Sequence, residues 1–157
     1  FKNILKKRLT NDTNMVSFGK EDIMKLISRN TDYAVRAICY IAEQKEKIIP
    51  VTELVKALKI PRPFLRKILQ SLNKRGILAS QKGSGGGFVL GRNENSIYLI
   101  DIIEVFQGPF KLNECFFKKQ LCPNRKACWL KKKIDSIENK VYSELKHVTI
   151  GSILKGS

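Results

Sequence analysis

From Asn30 onward, apolar positions recur at helical spacing: Ala34, Val35, Ile38, Ile41 and Ala42 fall on one face. Asn30 or Thr31 is placed to cap that helix, and Asp32 adds negative charge to its first turn, where the helix dipole favours it. Cys39 lies beside Val35 and Ala42 on the same face and reads as a small core residue. Ile48 and Ile49 lead through Pro50 into a short helix capped by Thr52 and ending at Leu58, with Leu54, Val55 and Leu58 inward. Lys59 and Ile60 make a turn. Pro61 and Pro63 then open a third helix, where a missing N–H costs nothing, and Phe64, Leu65, Ile68, Leu69 and Leu72 repeat at helical spacing. Lys74, Arg75 and Gly76 form a stop signal. A short helix, a tight turn and a longer amphipathic helix make a helix-turn-helix.

Two short apolar runs, Ile77 to Ala79 and Phe88 to Leu90, bracket QKGSGGG and predict a β-hairpin. A hairpin directly after a helix-turn-helix is a wing. Ile97, Leu99 and Ile100 pass into a helix, DIIEVFQG, closed by Gly108 and Pro109. A final stripe, Trp129, Leu130, Ile134, Ile137, Val141 and Leu145, repeats every three or four residues with charges between. One chain of this size has few elements left to cover it, so the equivalent helix of a second copy is the expected cover. Leu130, Ile134, Ile137, Val141 and Leu145 would form the interface of a two-fold homodimer. The expected fold is mainly α with a small β-hairpin wing: a winged helix-turn-helix plus a long C-terminal dimerisation helix. Its parts are an N-terminal extension or arm (1–23), the DNA-binding unit (24–108), a cysteine loop (109–128), and the dimerisation helix with a C-terminal segment (129–157).

Charge turns this architecture toward a partner. The 157 residues carry 30 Lys and Arg against 14 Asp and Glu, a net charge of +16, with 43% apolar residues to build a core. Such a charge favours a polyanion, whose condensed counterions are released on binding. From Pro61 to Arg92 the ionic residues are Arg62, Arg66, Lys67, Lys74, Arg75, Lys82 and Arg92, without a single Asp or Glu. A solvated face normally mixes signs, so a one-sign run argues for phosphate contact. Arg62, Arg66, Lys67, Lys74, Arg75 and Lys82, with Ser84 and Gly85 at the wing tip, are the candidate contacts to a double-stranded DNA operator.

No apolar run approaches the ~18 residues of a membrane span, and no signal-peptide pattern is present, so a cytoplasmic protein is expected. An enzyme is disfavoured. The one histidine, His147, stands apart from the cysteines, and KGSGGG is not followed by the helix a nucleotide loop needs. His147 reads as a C-terminal helix residue interacting with the dipole.

Three of the four cysteines, Cys115, Cys122 and Cys128, fall in one stretch as C-x6-C-x5-C. In a reducing compartment, clustered thiols bind metal or do redox chemistry more often than they form structural disulfides. Thiolates suit iron–sulfur clusters. Zinc is less favoured because no C-x-x-C pair occurs, and thiol redox sensing stays open. Lys118, Lys119, Arg125 and Lys126 crowd the loop and would favour thiolates and offset an anionic cluster.

MKLISRNTDYAVRA, the helix-turn-helix, KGSGGGFVLGRNENSIYLIDIIEVFQG, the cysteine trio and VTIGSIL together resemble the Rrf-two family of winged-helix bacterial repressors, over roughly Met24 to Leu154. The resemblance implies a homodimer joined through the long helix, recognition helices in successive major grooves and wings at flanking minor grooves, with Lys82 reaching the minor groove. It also implies an iron–sulfur cluster as cofactor, sensing iron, cluster supply, nitric oxide or redox state. Some cluster-binding members have Glu-Gln where this chain has Arg66-Lys67, which points to a different operator; arginine can read guanine with two hydrogen bonds. In one branch the fourth ligand is a His three residues after the last Cys, where this chain has Lys131. In another it is an Asp near the start of the first helix of the partner, which Asp32 matches. That pattern favours a 4Fe–4S over a 2Fe–2S centre. The competing readings are an iron-free regulator using the cysteines for thiol redox sensing or zinc, and an RNA- or protein-binding winged-helix module.

Overall fold

The computed structural model describes residues 26–45, 47–112 and 128–156. Helix α1 (Arg29–Glu43) buries Thr31, Ala34, Ala37, Ile38 and Ile41. Its cap is Ser28, whose side chain accepts the Thr31 N–H, rather than Asn30 or Thr31 as expected. Thr31 falls inside the helix, two residues after its first, and its buried hydroxyl donates to Gln107 instead.

Helix α2 (Val51–Leu58) starts at Pro50, with no side-chain cap; Thr52 lies exposed inside the first turn. Proline supplies the cap geometry through its restricted φ, and its carbonyl accepts the N–H groups of Glu53 and Leu54. The turn is made by Lys59, in the left-handed region at φ 54°, whose N–H donates to the Val55 carbonyl at 3.0 Å. Helix α3 (Arg62–Lys74) buries Leu65, Ile68, Leu69 and Leu72. It ends in a Schellman motif: the Ile77 N–H donates to Leu72 and the Gly76 N–H to Asn73, both at 3.0 Å.

Strands β1 (Leu78–Gln81) and β2 (Gly87–Leu90) pair antiparallel, Leu78 opposite Leu90 and Gln81 opposite Gly87. The hairpin gains a third member that the sequence reading lacked. Ile49 and Phe88 exchange two backbone hydrogen bonds of 2.9 Å, which fastens β2 to the residue before Pro50. Helix α4 (Leu99–Gln107) packs on α1 and α5. Helix α5 (Trp129–His147) is followed by α6 (Ile150–Lys155), a short helix not anticipated and held by a Thr149–Ser152 capping box. The start of α4 is tied to the segment leading into α6: the Leu99 N–H donates to Val148 at 2.8 Å and the Ile150 N–H to Ile97 at 2.9 Å.

One core joins α1, α2, α3, the hairpin, α4 and α6, centred on Ile38, Ile41, Ile49, Leu54, Leu65, Leu69 and Ile102. A second, smaller cluster of Leu99, Ile100, Ile103 and Leu145 fixes the C-terminal end of α5 to α4. No helix among the described residues is long and apolar enough to cross a membrane.

Candidate nucleic-acid interface and cysteine loop

The buried face of α3 sets what its other face must do. Leu65, Ile68, Leu69 and Leu72 point into the core, so Arg62, Arg66, Lys67 and Gln70 stand in solvent, as do Lys74 and Arg75 at the end of the helix. Lys82, Ser84 and Gly85 are exposed at the wing tip. There the Gly86 N–H donates to the Gly83 carbonyl at 3.0 Å, and Gly85 has φ +81°, the value a type II turn requires at its third residue. Arg92 differs from the rest of the run, since it donates to Asp101 of α4 at 2.9 Å.

Phe64 departs from the expected pattern. It is 59% exposed, although its spacing had put it with the core residues. Leu65, Ile68, Leu69 and Leu72 already complete an i, i+3, i+4, i+7 set; Phe64 precedes that set by one residue, roughly 100° around the helix from Leu65. That offset was the signal available in the sequence.

Cys115 and Cys122 lie outside the described residues. Cys128 is half-buried and caps α5, its Sγ accepting the Lys131 N–H at 3.4 Å. The segment before the loop rests on the same helix. The Leu112 N–H donates to Glu138 at 2.9 Å, and the Phe110 ring lies 6.0 Å from the Tyr142 ring, which also carries Lys146 Nζ at 4.8 Å. Both flanks of the cysteine loop are therefore held by α5. Lys131, where one branch of the family has histidine, pairs with Asp135.

Asp32 accepts from Arg36 Nε at 3.0 Å and its side chain is 44% exposed. Beside it is a contact that sequence reasoning missed. Gln107 Oε1 accepts the Ser28 N–H at 2.8 Å and the Thr31 hydroxyl at 2.7 Å, while Nε2 donates to the Leu26 carbonyl. This clasp joins the start of α1 to the end of α4, six residues before the first residue of the loop outside the described segments. Nothing in the local pattern of Gln107 marks it. His147 Nδ1 lies 2.7 Å from the Ser143 carbonyl, at the C-terminal end of α5. Cys39 is packed against the core, and burial first, then the charge of Glu43, raises its thiol above the ordinary value. Among the described residues no group of three His, Cys, Asp or Glu could hold a metal ion.

The long-helix stripe divides. Leu145 is buried in its own chain, Ile134 and Val141 are half-buried, and Trp129, Leu130 and Ile137 are 76%, 55% and 51% exposed.

A cationic helix in a helix-turn-helix, followed by a basic-tipped hairpin, defines a winged-helix DNA-binding protein. Residues 27–156 match the family described as Rrf2, iron-dependent transcriptional regulator, and the chain belongs to that family. It is 32% identical over 131 residues to an HTH-type transcriptional regulator of Aquifex aeolicus, covering 82% of this chain and 91% of the relative. In fold it is similar to CymR of B. subtilis, described as the global cysteine regulator (TM-score 0.68, 22% identity, 85% of this chain and 99% of that one). It is also similar to T. potens IscR (TM-score 0.64, 22% identity, 83% and 86%). The protein is thus a DNA-binding transcriptional regulator and not an enzyme.

Proposed function

We propose that the chain is an operator-binding repressor that works as a homodimer through α5, and that an iron–sulfur cluster on the Cys115–Cys128 loop sets its affinity for DNA. The observation that carries the reading is the position of Cys128. The sulfur that would bind metal is the N-cap of the helix bearing the exposed stripe. Engaging or releasing that sulfur acts on the first turn of α5, so it changes the relative free energy of two arrangements of the helix and, through them, DNA affinity.

The donor set suits the group. Three thiolates come from Cys115, Cys122 and Cys128, and a carboxylate from Asp32 of the partner subunit would complete four. Among the described residues Asp32 pairs with an exposed arginine, Arg36, and an exposed pair of this kind is worth at most about 1 kcal/mol, so the carboxylate is easily redirected. An oxygen ligand is weak toward soft iron, which suits a labile 4Fe–4S sensor. When bound, the cluster supplies iron open to attack by nitric oxide or oxygen. The same geometry serves a second reading without iron, in which a peroxide transfers one oxygen atom to the Cys128 thiolate, giving a sulfenic acid as the O–O bond breaks and water or an alcohol leaves, and so removes the cap.

Anaerobic purification with visible absorption, iron and sulfide analysis tests the proposal. A brown chain with four irons and four sulfides per protomer is expected. Asp32→Ala should lose its colour faster in air. A colourless, iron-free chain after anaerobic reconstitution would sink the cluster reading and leave the thiol reading standing. Duplex selection with a salt titration tests operator binding independently, because sequence discrimination must persist as phosphate contacts weaken.

A further inference from the structure

We propose that Phe64 is a base-reading residue: its ring meets the C5-methyl group of a thymine in each operator half-site. The proposal deepens the operator-binding role of α3 and rests on it. Phe64 sits in the first turn of α3, the part of a recognition helix that faces base edges. Phe64 is 59% exposed, while its neighbour Leu65 is fully buried, so the core formed by the described residues makes no use of most of that apolar surface.

The surroundings argue for DNA as the cover. Arg62, Arg66 and Lys67, all exposed, lie within three residues of Phe64, and no acidic residue occurs between Pro61 and Arg92. A partner protein docking an apolar ring here would have to bury unpaired cations; a DNA groove neutralises them with phosphates. The major groove offers few apolar features, and the thymine methyl is the one that distinguishes a base. At about 100° per residue, Phe64 and Lys67 share one flank of α3 and Arg62 and Arg66 the other. In a groove the two flanks face opposite walls. The Phe64 flank would then read a methyl while the arginine flank meets guanine or phosphate.

The test uses the full chain, prepared anaerobically, and the duplex it selects from a random pool. Each thymine of that duplex is replaced in turn by deoxyuridine, which removes the methyl and leaves every hydrogen-bonding group in place. For wild type, one uracil position per half-site should weaken binding about fourfold, the worth of burying one methyl. Phe64→Ala, which removes the ring from both protomers, should bind the thymine duplex about sixteenfold more weakly, two contacts at about fourfold each, and show no further loss on the uracil duplex. Phe64→Leu should restore part of the discrimination. The Phe64→Ala chain should unfold in urea at the wild-type midpoint, because the ring is mostly outside the core.

Equal wild-type affinity for thymine and uracil at every position would overturn the proposal. So would discrimination that survives in Phe64→Ala, which would assign the methyl to another residue. Loss of affinity by the same factor on unrelated duplexes would assign the ring to the sugar-phosphate backbone and overturn it as well. Failure to select any duplex would refute operator binding itself, a result separate from all of these.

Discussion

Replacing Gly87 by alanine tests how the wing is attached. A methyl group there would overlap the Ile49 carbonyl oxygen, and it would approach the Ile49 carbonyl carbon to 2.6 Å and the Pro50 nitrogen to 2.9 Å. All three are backbone atoms, so no rotamer change relieves the clash; β2 must move away from Ile49. That movement breaks the two 2.9 Å hydrogen bonds between Ile49 and Phe88, worth about 1 kcal/mol each. It also loosens Ile49, a fully buried side chain, for roughly another 1–2 kcal/mol. The expected loss is about 3–4 kcal/mol. Gly85→Ala is the control. It is strained by its φ of +81° but meets nothing within 4 Å, so it should cost only about 1 kcal/mol. Urea unfolding of both variants, followed by far-ultraviolet circular dichroism, measures the difference. A Gly87→Ala loss below about 1 kcal/mol, or one smaller than that of Gly85→Ala, would refute the attachment of β2 to Ile49.

Ile137→Asp places a charge on the exposed part of the α5 stripe; wild type should sediment as a dimer at micromolar concentration and the variant as a folded monomer, and a monomeric wild type would discard the stripe as an interface. Gln107→Leu leaves the buried Thr31 hydroxyl and the Ser28 N–H without their acceptor, and should lower urea stability by roughly 1–3 kcal/mol, with faster amide exchange at the start of α1. Cys39 should alkylate more slowly in the native chain than in urea at the same pH, because its folded thiol stays protonated to higher pH. As pH rises through 9.0, the ordinary value, the unfolded chain loses this proton first, so the Cys39 contribution to stability should decline across that window; the urea midpoint of wild type against Cys39→Ala measures it.

The sequence made the order of elements legible because periodicity and punctuation agreed there. The stop signal Lys74-Arg75-Gly76 does end α3, where the structure forms a Schellman motif, and the two apolar runs around QKGSGGG pair as the hairpin. The caps were harder. Asn30, Thr31 and Thr52 are all competent capping types, and only tertiary structure, through Gln107 and Pro50, decides that Ser28 and Pro50 take those places. Phe64 was misplaced because an aromatic beside a core set looks like a member of it until the neighbouring elements are known. At the cysteine loop, spacing announced the thiols. The anchoring of its upstream flank on α5 depends on Phe110, Leu112, Glu138 and Tyr142, contacts between distant positions that no local pattern encodes.

The bridge between Ile49 and Phe88 has a mechanical consequence. It links Ile49, the residue before the Pro50 cap of α2, to the return strand of the wing, while α2 itself leads directly into α3. Recognition helix and wing are thereby one stiff reading head with a fixed reach. A signal arriving at the far end of the molecule has little freedom to retune that head internally. In the proposed homodimer, what it would change is the pose of one head relative to its twin, and so the separation along the duplex at which both fit at once. Control exerted in this way would appear as a changed tolerance for the distance between half-sites, with the bases preferred within each half-site left the same.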